Sequence, residues 1–134
     1  GGWTSCAMRI SHLPAILTMM PTEVQTGIRE VNKLTSAGNR SSDINTTADK
    51  LFLLSEVEIF GSTSYSAAGE GTQYDYYKED KTRTIKHQNG NVSLWWERSP
   101  ALKNAKAFCR ASFFGASSAN SASASNGVAF GFCF

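Results

Sequence analysis

The sequence predicts an α+β domain, and three observations predict it. Helix signals crowd the first third, with a capping Thr4 or Ser5 ahead of Cys6, Ala7, Met8 and Ile10, and a Pro-Thr-Glu start at Pro21 to Glu23. Strand signals crowd the last third, where Gly127 to Phe134 places an apolar residue at every even position. Between the two lie short apolar runs broken by Gly, Ser and Asn. Helices first and a cluster of antiparallel strands later is the order of a segregated α+β fold.

Composition bounds the class. A chain of 134 residues is read as one domain, 1–134, long enough to bury roughly two thirds of its unfolded surface. Its net charge of +2 gives no reason to expect nucleic acid as the partner, and no apolar run approaches the length of a membrane span. Nothing in it reads as a signal peptide, and a start at Gly1-Gly2-Trp3 without Met leads to the expectation of the C-terminal part of a longer protein. Three cysteines are too few for a disulfide framework. Cys109 and Cys133 fall on predicted strands and could pair; buried free thiols are the alternative.

In chain order, Pro14 should end or kink the first helix. The second begins near Pro21 and gives way to a strand from about Glu30. Ser36 to Asp49, rich in Ser, Thr and Asn, reads as a surface loop. Leu51 to Leu54 suits a buried strand. Ser55-Glu56-Val57-Glu58 is a capping box, opening a helix that Gly61 stops after Phe60. Ser62 to Gly71 is loop, Tyr74 to Tyr77 a short helix or aromatic turn, and Lys78 to Arg83 an exposed charged stretch. Asn89-Gly90 signals a tight turn before a strand from Val92 to Arg98, and two more strands are expected at Ala107 to Phe114 and Val128 to Phe134. Ala116 to Asn126, almost all Ala, Ser and Asn, is then a loop or surface strand held between anchored strands.

No catalytic constellation emerges. Glu56 and Glu58 lie two apart on a helix and point different ways, and capping already accounts for Glu58. His12 and His87 lack metal-ligand spacing, Cys6 with His12 lacks an orienting third group, and Gly69-Glu70-Gly71 lacks a phosphate-loop context. No metal or cofactor is expected. Trp95 and Trp96 are adjacent on a strand and so face opposite sides, one toward a core and the other covering the sheet or stacking on a ligand.

Four segments carry a resemblance: Gly2-Trp3 with Met8-Arg9; Leu51-Phe52-Leu53-Leu54-Ser55-Glu56-Val57-Glu58; Trp95-Trp96-Glu97-Arg98-Ser99-Pro100; and Asn126-Gly127-Val128-Ala129-Phe130-Gly131-Phe132. Together they resemble the C-type-lectin-fold variable proteins of diversity-generating retroelements, in the branch of gut bacteria and their phages. The Leu-Leu-Ser-Glu-x-Glu segment is also similar to formylglycine-generating-enzyme-like domains of the same fold. The resemblance implies a ligand-binding protein whose 3′ coding end, about residues 101–126 here, is rewritten by adenine-targeted reverse transcription. It implies phage receptor binding, as on a tail fibre, or bacterial surface display and adhesion. The partner would be a protein or glycan on a cell surface, and the location a virion or the bacterial surface.

The expected variable face comprises Lys103, Asn104, Ala105, Lys106, Arg110, Ser112, Phe114, Ala116, Ser118, Ala119 and Asn120. Along Cys109 to Ala116 the odd positions suit a buried face, while Arg110, Ser112, Phe114 and Ala116 are a chemically unrelated set on the other. Phe114 would be an aromatic anchor amid small residues, as in a paratope. Lys103 and Lys106 fit the mutational scheme less well. Trp95, Trp96, Phe130 and Phe132 are expected to be structural, and Arg98 to pair with Glu56 or Glu58 or clamp carbonyls. With so little chain before the first helix, the last strand is expected to find a partner in a missing N-terminal segment or a second subunit. Two other readings remain: a copper oxidase of the formylglycine-generating type, which would need an accessible Cys109–Cys133 pair, and a carbohydrate-binding module.

Overall fold

The computed structural model describes residues 2–134; Gly1, where the expected domain begins, lies outside the described residues. A single 3-10 turn at Trp3–Ser5 carries Trp3 into the interior. A π-helical turn, Met8–His12, then runs straight into helix α1 (Leu13–Thr18). Pro14 does not end this helix. It occupies the first turn of α1, where its missing N–H costs nothing, and the wider turn before it accommodates the ring. Helix α2 (Thr22–Gly27) follows Pro21.

The polar stretch read as a loop is mostly strand. Strand β1 (Val31–Gly38) pairs antiparallel with β2 (Ser41–Asp49) across a tight turn in which Asn39 and Arg40 both take positive φ, 53° and 65°. That geometry supplies the twist a two-residue hairpin needs. Strand β3 (Phe52–Leu53) is buried, and helix α3 (Glu56–Phe60) opens on the capping box: Ser55 Oγ accepts the Glu58 N–H at 3.1 Å, and Glu58 Oε2 accepts the Ser55 N–H at 3.0 Å. Gly61 closes it at φ 67°. Helix α4 (Asp75–Glu79) is followed by a 3-10 turn at Lys81–Thr84 and a small hairpin of β4 (Lys86–Gln88) and β5 (Asn91–Ser93) around Asn89-Gly90.

Strands β6 (Trp95–Pro100), β7 (Ala107–Ala111) and β8 (Ser117–Ser121) form the antiparallel sheet that organises the domain. Strand β7 stops at Ala111, three residues before the expected end, because Ser112 to Gly115 turn back into β8. The last strand, β9 (Phe130–Gly131), pairs with β3, and single bridges join Gly127 to Trp95 and Cys133 to Arg29. Among the described residues no second strand flanks β9. Phe130 packs on a core, but Phe132 and Phe134 are 39% and 62% exposed and touch each other edge to face at 5.3 Å. Phe132 is therefore not the core residue its alternation suggested; it lies past the end of the two-residue strand, at the surface against Phe134.

Adjacent tryptophans divide the interior in two. Trp95, 1% exposed, joins Ile59, Tyr77 and Ala111. Trp96 packs from the other side of β6 against Trp3, Leu13, Ile28, Leu51 and Leu53. Between these apolar clusters lies a sealed polar lock centred on Arg98. Its guanidinium pairs with Glu58 Oε2 at 2.5 Å and donates to the Leu53, Leu34 and Glu70 carbonyls and to Thr35 Oγ1. Lys33 Nζ reaches the other Glu58 oxygen at 2.5 Å. One side chain thus ties β1, β3, α3 and β6 together.

Candidate functional site

The β7–β8 hairpin has two unlike faces, and pairing register decides which residue belongs to which. Cross-strand partners share a face. Ala107, Cys109 and Ala111 are buried and pair with Ser121, Ala119 and Ser117. Ser117 Oγ donates to Glu56 Oε1 on this inner side. Phe108 and Arg110 are half-buried on the outer side, paired with Asn120 and Ser118, and Trp96 lies opposite Arg110 on the neighbouring strand. Arg110 donates through Nε to Ser118 Oγ at 3.1 Å and through Nη1 to Asn126 Oδ1 at 3.3 Å. Among the described residues it has no carboxylate partner.

The expected variable residues do not form one continuous surface. Arg110, Ser118 and Asn120 share the outer face. Ala119 does not: it lies opposite Cys109 on the inner face, because neighbouring residues of a strand point opposite ways. Lys103, Asn104, Ala105 and Lys106 are exposed in the turn at one end of the hairpin, where Asn104 Oδ1 accepts the Lys106 N–H at 3.0 Å. Ser112, Phe114 and Ala116 belong to the turn at the opposite end, closed by the Ser112 N–H to the Ala116 carbonyl at 2.8 Å and by the Ala116 N–H to Ser112 Oγ at 3.0 Å.

Phe114 is 90% exposed, but Phe113 is also 51% exposed, and Ser112 is half-buried. The expected alternation holds only as far as Ala111, since turn residues have no faces to alternate between. Two bulky rings consequently stand at the tip.

Two grooves flank the hairpin. The first, about 420 Å³, is walled by Trp96, Phe108, Met8 and Trp3, with Ala122, Ala124, Ser125 and Asn126 along its lip and His12 and Glu97 also lining it. The second, about 760 Å³, runs between the tip residues Gly115 to Ser117 and the α3–α4 region, with Phe60, Tyr65 and Tyr77 among its walls. Both take part of their lining from the Ala/Ser/Asn-rich segment. Sequence reasoning missed Phe108 and Asn126, although Phe108 shares the even parity of Arg110 and could have been found by it.

The buried chemistry is acidic. Glu56 is held by the backbone N–H groups of Tyr65 and Ser66, and Glu70 by the Ser36 N–H and the Ser99 hydroxyl. Glu97 is 1% exposed with both carboxyl oxygens unpartnered. Burial pushes its carboxyl well above the usual carboxylate range, and Glu56 and Glu70 push the same way. Among the described residues no group of three or more His, Cys, Asp or Glu side chains is placed to hold a metal ion. Cys109 and Cys133 are free thiols, as the alternative to a pair had it; Cys109 is buried, but Cys133, expected to face inward, is exposed. Burial, followed by the charges of Glu97, Glu56 and Glu70, drives the Cys109 thiol upward, away from thiolate chemistry.

Among the described residues no helix is long and apolar enough to cross a membrane. No curated protein and no solved structure matches the chain. A family of domains of unknown function, DUF6273, matches residues 2–133, nearly the whole length, and the chain belongs to that family.

Proposed function

We propose that this DUF6273 domain is a ligand-binding module of C-type lectin-like fold. Its hypervariable face would be generated by a diversity-generating retroelement and would serve phage receptor binding or bacterial surface display. The observation that carries the reading is the division of labour across β7 and β8. Cys109 and Ala111 have no exposure at all, while Arg110, Ser118 and Asn120 on the opposite face are half-buried and Phe114 at the tip is 90% exposed. A surface whose side chains do not decide the fold can change without unfolding it. Arg and aromatic groups amid small Ser, Ala and Asn also match the chemistry of adaptable binding sites.

The oxidase alternative asks for two thiols converging in a cleft. Cys109 is sealed and Cys133 stands apart on the surface, so the residues favour binding over redox chemistry. The test is genetic. Sequencing this locus and its neighbourhood across a population should reveal a reverse transcriptase gene and a near-identical, Asn-rich repeat. Codon changes should fall at the outer-face and turn positions and spare Cys109 and Ala111. A locus with neither repeat nor clustered substitutions sinks the proposal.

A further inference from the structure

The interior is a cation short. Among the described residues Glu56, Glu58, Glu70 and Glu97 are buried against only two buried cations, Lys33 and Arg98, and both of those pair with Glu58. Glu56 is met by the N–H groups of Tyr65 and Ser66, and Glu70 by the Ser36 N–H and the Ser99 hydroxyl. Glu97 is met by nothing: both of its oxygens are buried without a hydrogen-bond partner. Folded proteins rarely leave a buried acceptor in that condition without a reason.

The unmet groups converge on one place. Glu97 lines the groove walled by Trp96 and Phe108, and so does Asn126, whose Nδ2 is likewise buried without a partner. No Lys or Arg lines this groove, and Glu97 is its one acidic residue. Glu56 and Glu70 repel the Glu97 charge and so add to a negative field behind the wall. Arg110 reaches the lining through Asn126 Oδ1, but its Nε is turned outward onto Ser118. Burial favours the protonated form of Glu97 in the empty groove, and an opposite charge brought into contact reverses that preference.

We propose that this groove is a site for a small organic cation, an alkyl chain ending in an ammonium or guanidinium group. Its N–H groups donate to the two Glu97 oxygens, and the faces of Trp96 and Phe108 attract the charge. The alkyl chain lies along Met8, the unbranched and therefore most pliable wall, which yields to let the cation reach the covered carboxyl. A volume of about 420 Å³ is toward the low end for small-ligand pockets and suits one free molecule. This site goes beyond the variable face, since Trp3, Met8, Trp96 and Glu97 all lie outside residues 101–126.

The test is calorimetric titration of the whole domain with butylammonium, butylguanidinium, butanol and butyrate, and with a short Lys- and Arg-bearing peptide in parallel. At least one free cation should bind about tenfold or more tighter than butanol and butyrate, as a charge-assisted hydrogen bond allows. Glu97→Gln, close in shape but without the charge, should abolish that preference while its circular dichroism and melting show a folded domain. Phe108→Ala, at a half-buried position, should weaken the cation several-fold. Butanol or butyrate binding as tightly as the cations, a preference that survives Glu97→Gln, an affinity unchanged in Phe108→Ala, or no heat from any compound overturns the proposal. Glu97-dependent binding of the peptide with both free cations ignored overturns the small-molecule occupant.

Discussion

Arg98 and Glu58 form a sealed ion pair at 2.5 Å in which each partner is shared, Glu58 with Lys33 and Arg98 with three backbone carbonyls. Such a pair is valuable mainly because every group in it is satisfied. Removing one member strands the rest without water.

Arg98→Met should therefore destabilise by about 3–5 kcal/mol, the usual cost of leaving a buried charge uncompensated. Arg98→Lys should recover little, since one ammonium cannot replace a fork that reaches Leu53, Leu34 and Glu70 at once. Urea melts of the two variants check this; a Lys variant as stable as wild type refutes the clamp.

Glu97 sets an opposite dependence on pH from Glu58. The Glu97 carboxyl is raised in the folded state, so its contribution is full below the unfolded value near about 4.3 and is lost as pH rises through the folded value. For Glu58, burial raises the carboxyl, but the hydrogen bonds and charges of Arg98 and then Lys33 outweigh it and lower it. Its contribution is present above the unfolded value and disappears as pH falls. Thermal melts across the pH range should show Glu97→Gln gaining on wild type as pH rises and matching it in acid. A wild-type chain that gains stability steadily toward alkaline pH, with no benefit from Glu97→Gln, contradicts this account.

The outer face should tolerate change. Alanine at Phe114, Ser118 or Asn120 should shift stability by no more than about 0.5 kcal/mol, while Trp95→Ala should cost about 3–5 kcal/mol. Phe132→Ala should cost clearly less than Trp95→Ala, because Phe132 is already 39% exposed. Chemical denaturation of these five variants orders them directly.

Gly115 should be the fixed point of the tip. Its φ of 72° disfavours any side chain, and an added Cβ would collide with Thr84 Oγ1, whose hydrogen bond to the Gly115 carbonyl at 2.8 Å pins the turn. Gly115→Ala should cost more than about 1 kcal/mol, and natural variants should spare this glycine while Phe114 and Ala116 change. Frequent non-glycine residues at this position among natural variants would refute the pinning.

What was legible in the sequence is what short-range chemistry dictates. The Ser55 capping box, the Asn89-Gly90 turn and the α+β order each follow from a few neighbouring residues. Strand β2 was not legible, since Ile44 is its one large apolar residue and it exists because β1 lies beside it across a turn that uses Asn39-Arg40 in place of the usual Asn-Gly. Ala119 was misplaced for a related reason. A run of three site residues, Ser118 to Asn120, must cross from one face of a strand to the other. The Trp96–Phe108 groove needed tertiary structure altogether, because its walls come from both ends of the chain.

The opposed placement of Trp95 and Trp96 has a practical consequence. Trp3 and Trp95 are each 1% exposed, so an aqueous collisional quencher should reach Trp96 and spare the other two. Emission from this chain thus separates into a shielded component that reports whether the domain is folded and an accessible one that reports occupancy of the groove. One unlabelled sample can then be titrated and melted in the same cuvette, with the two signals read apart.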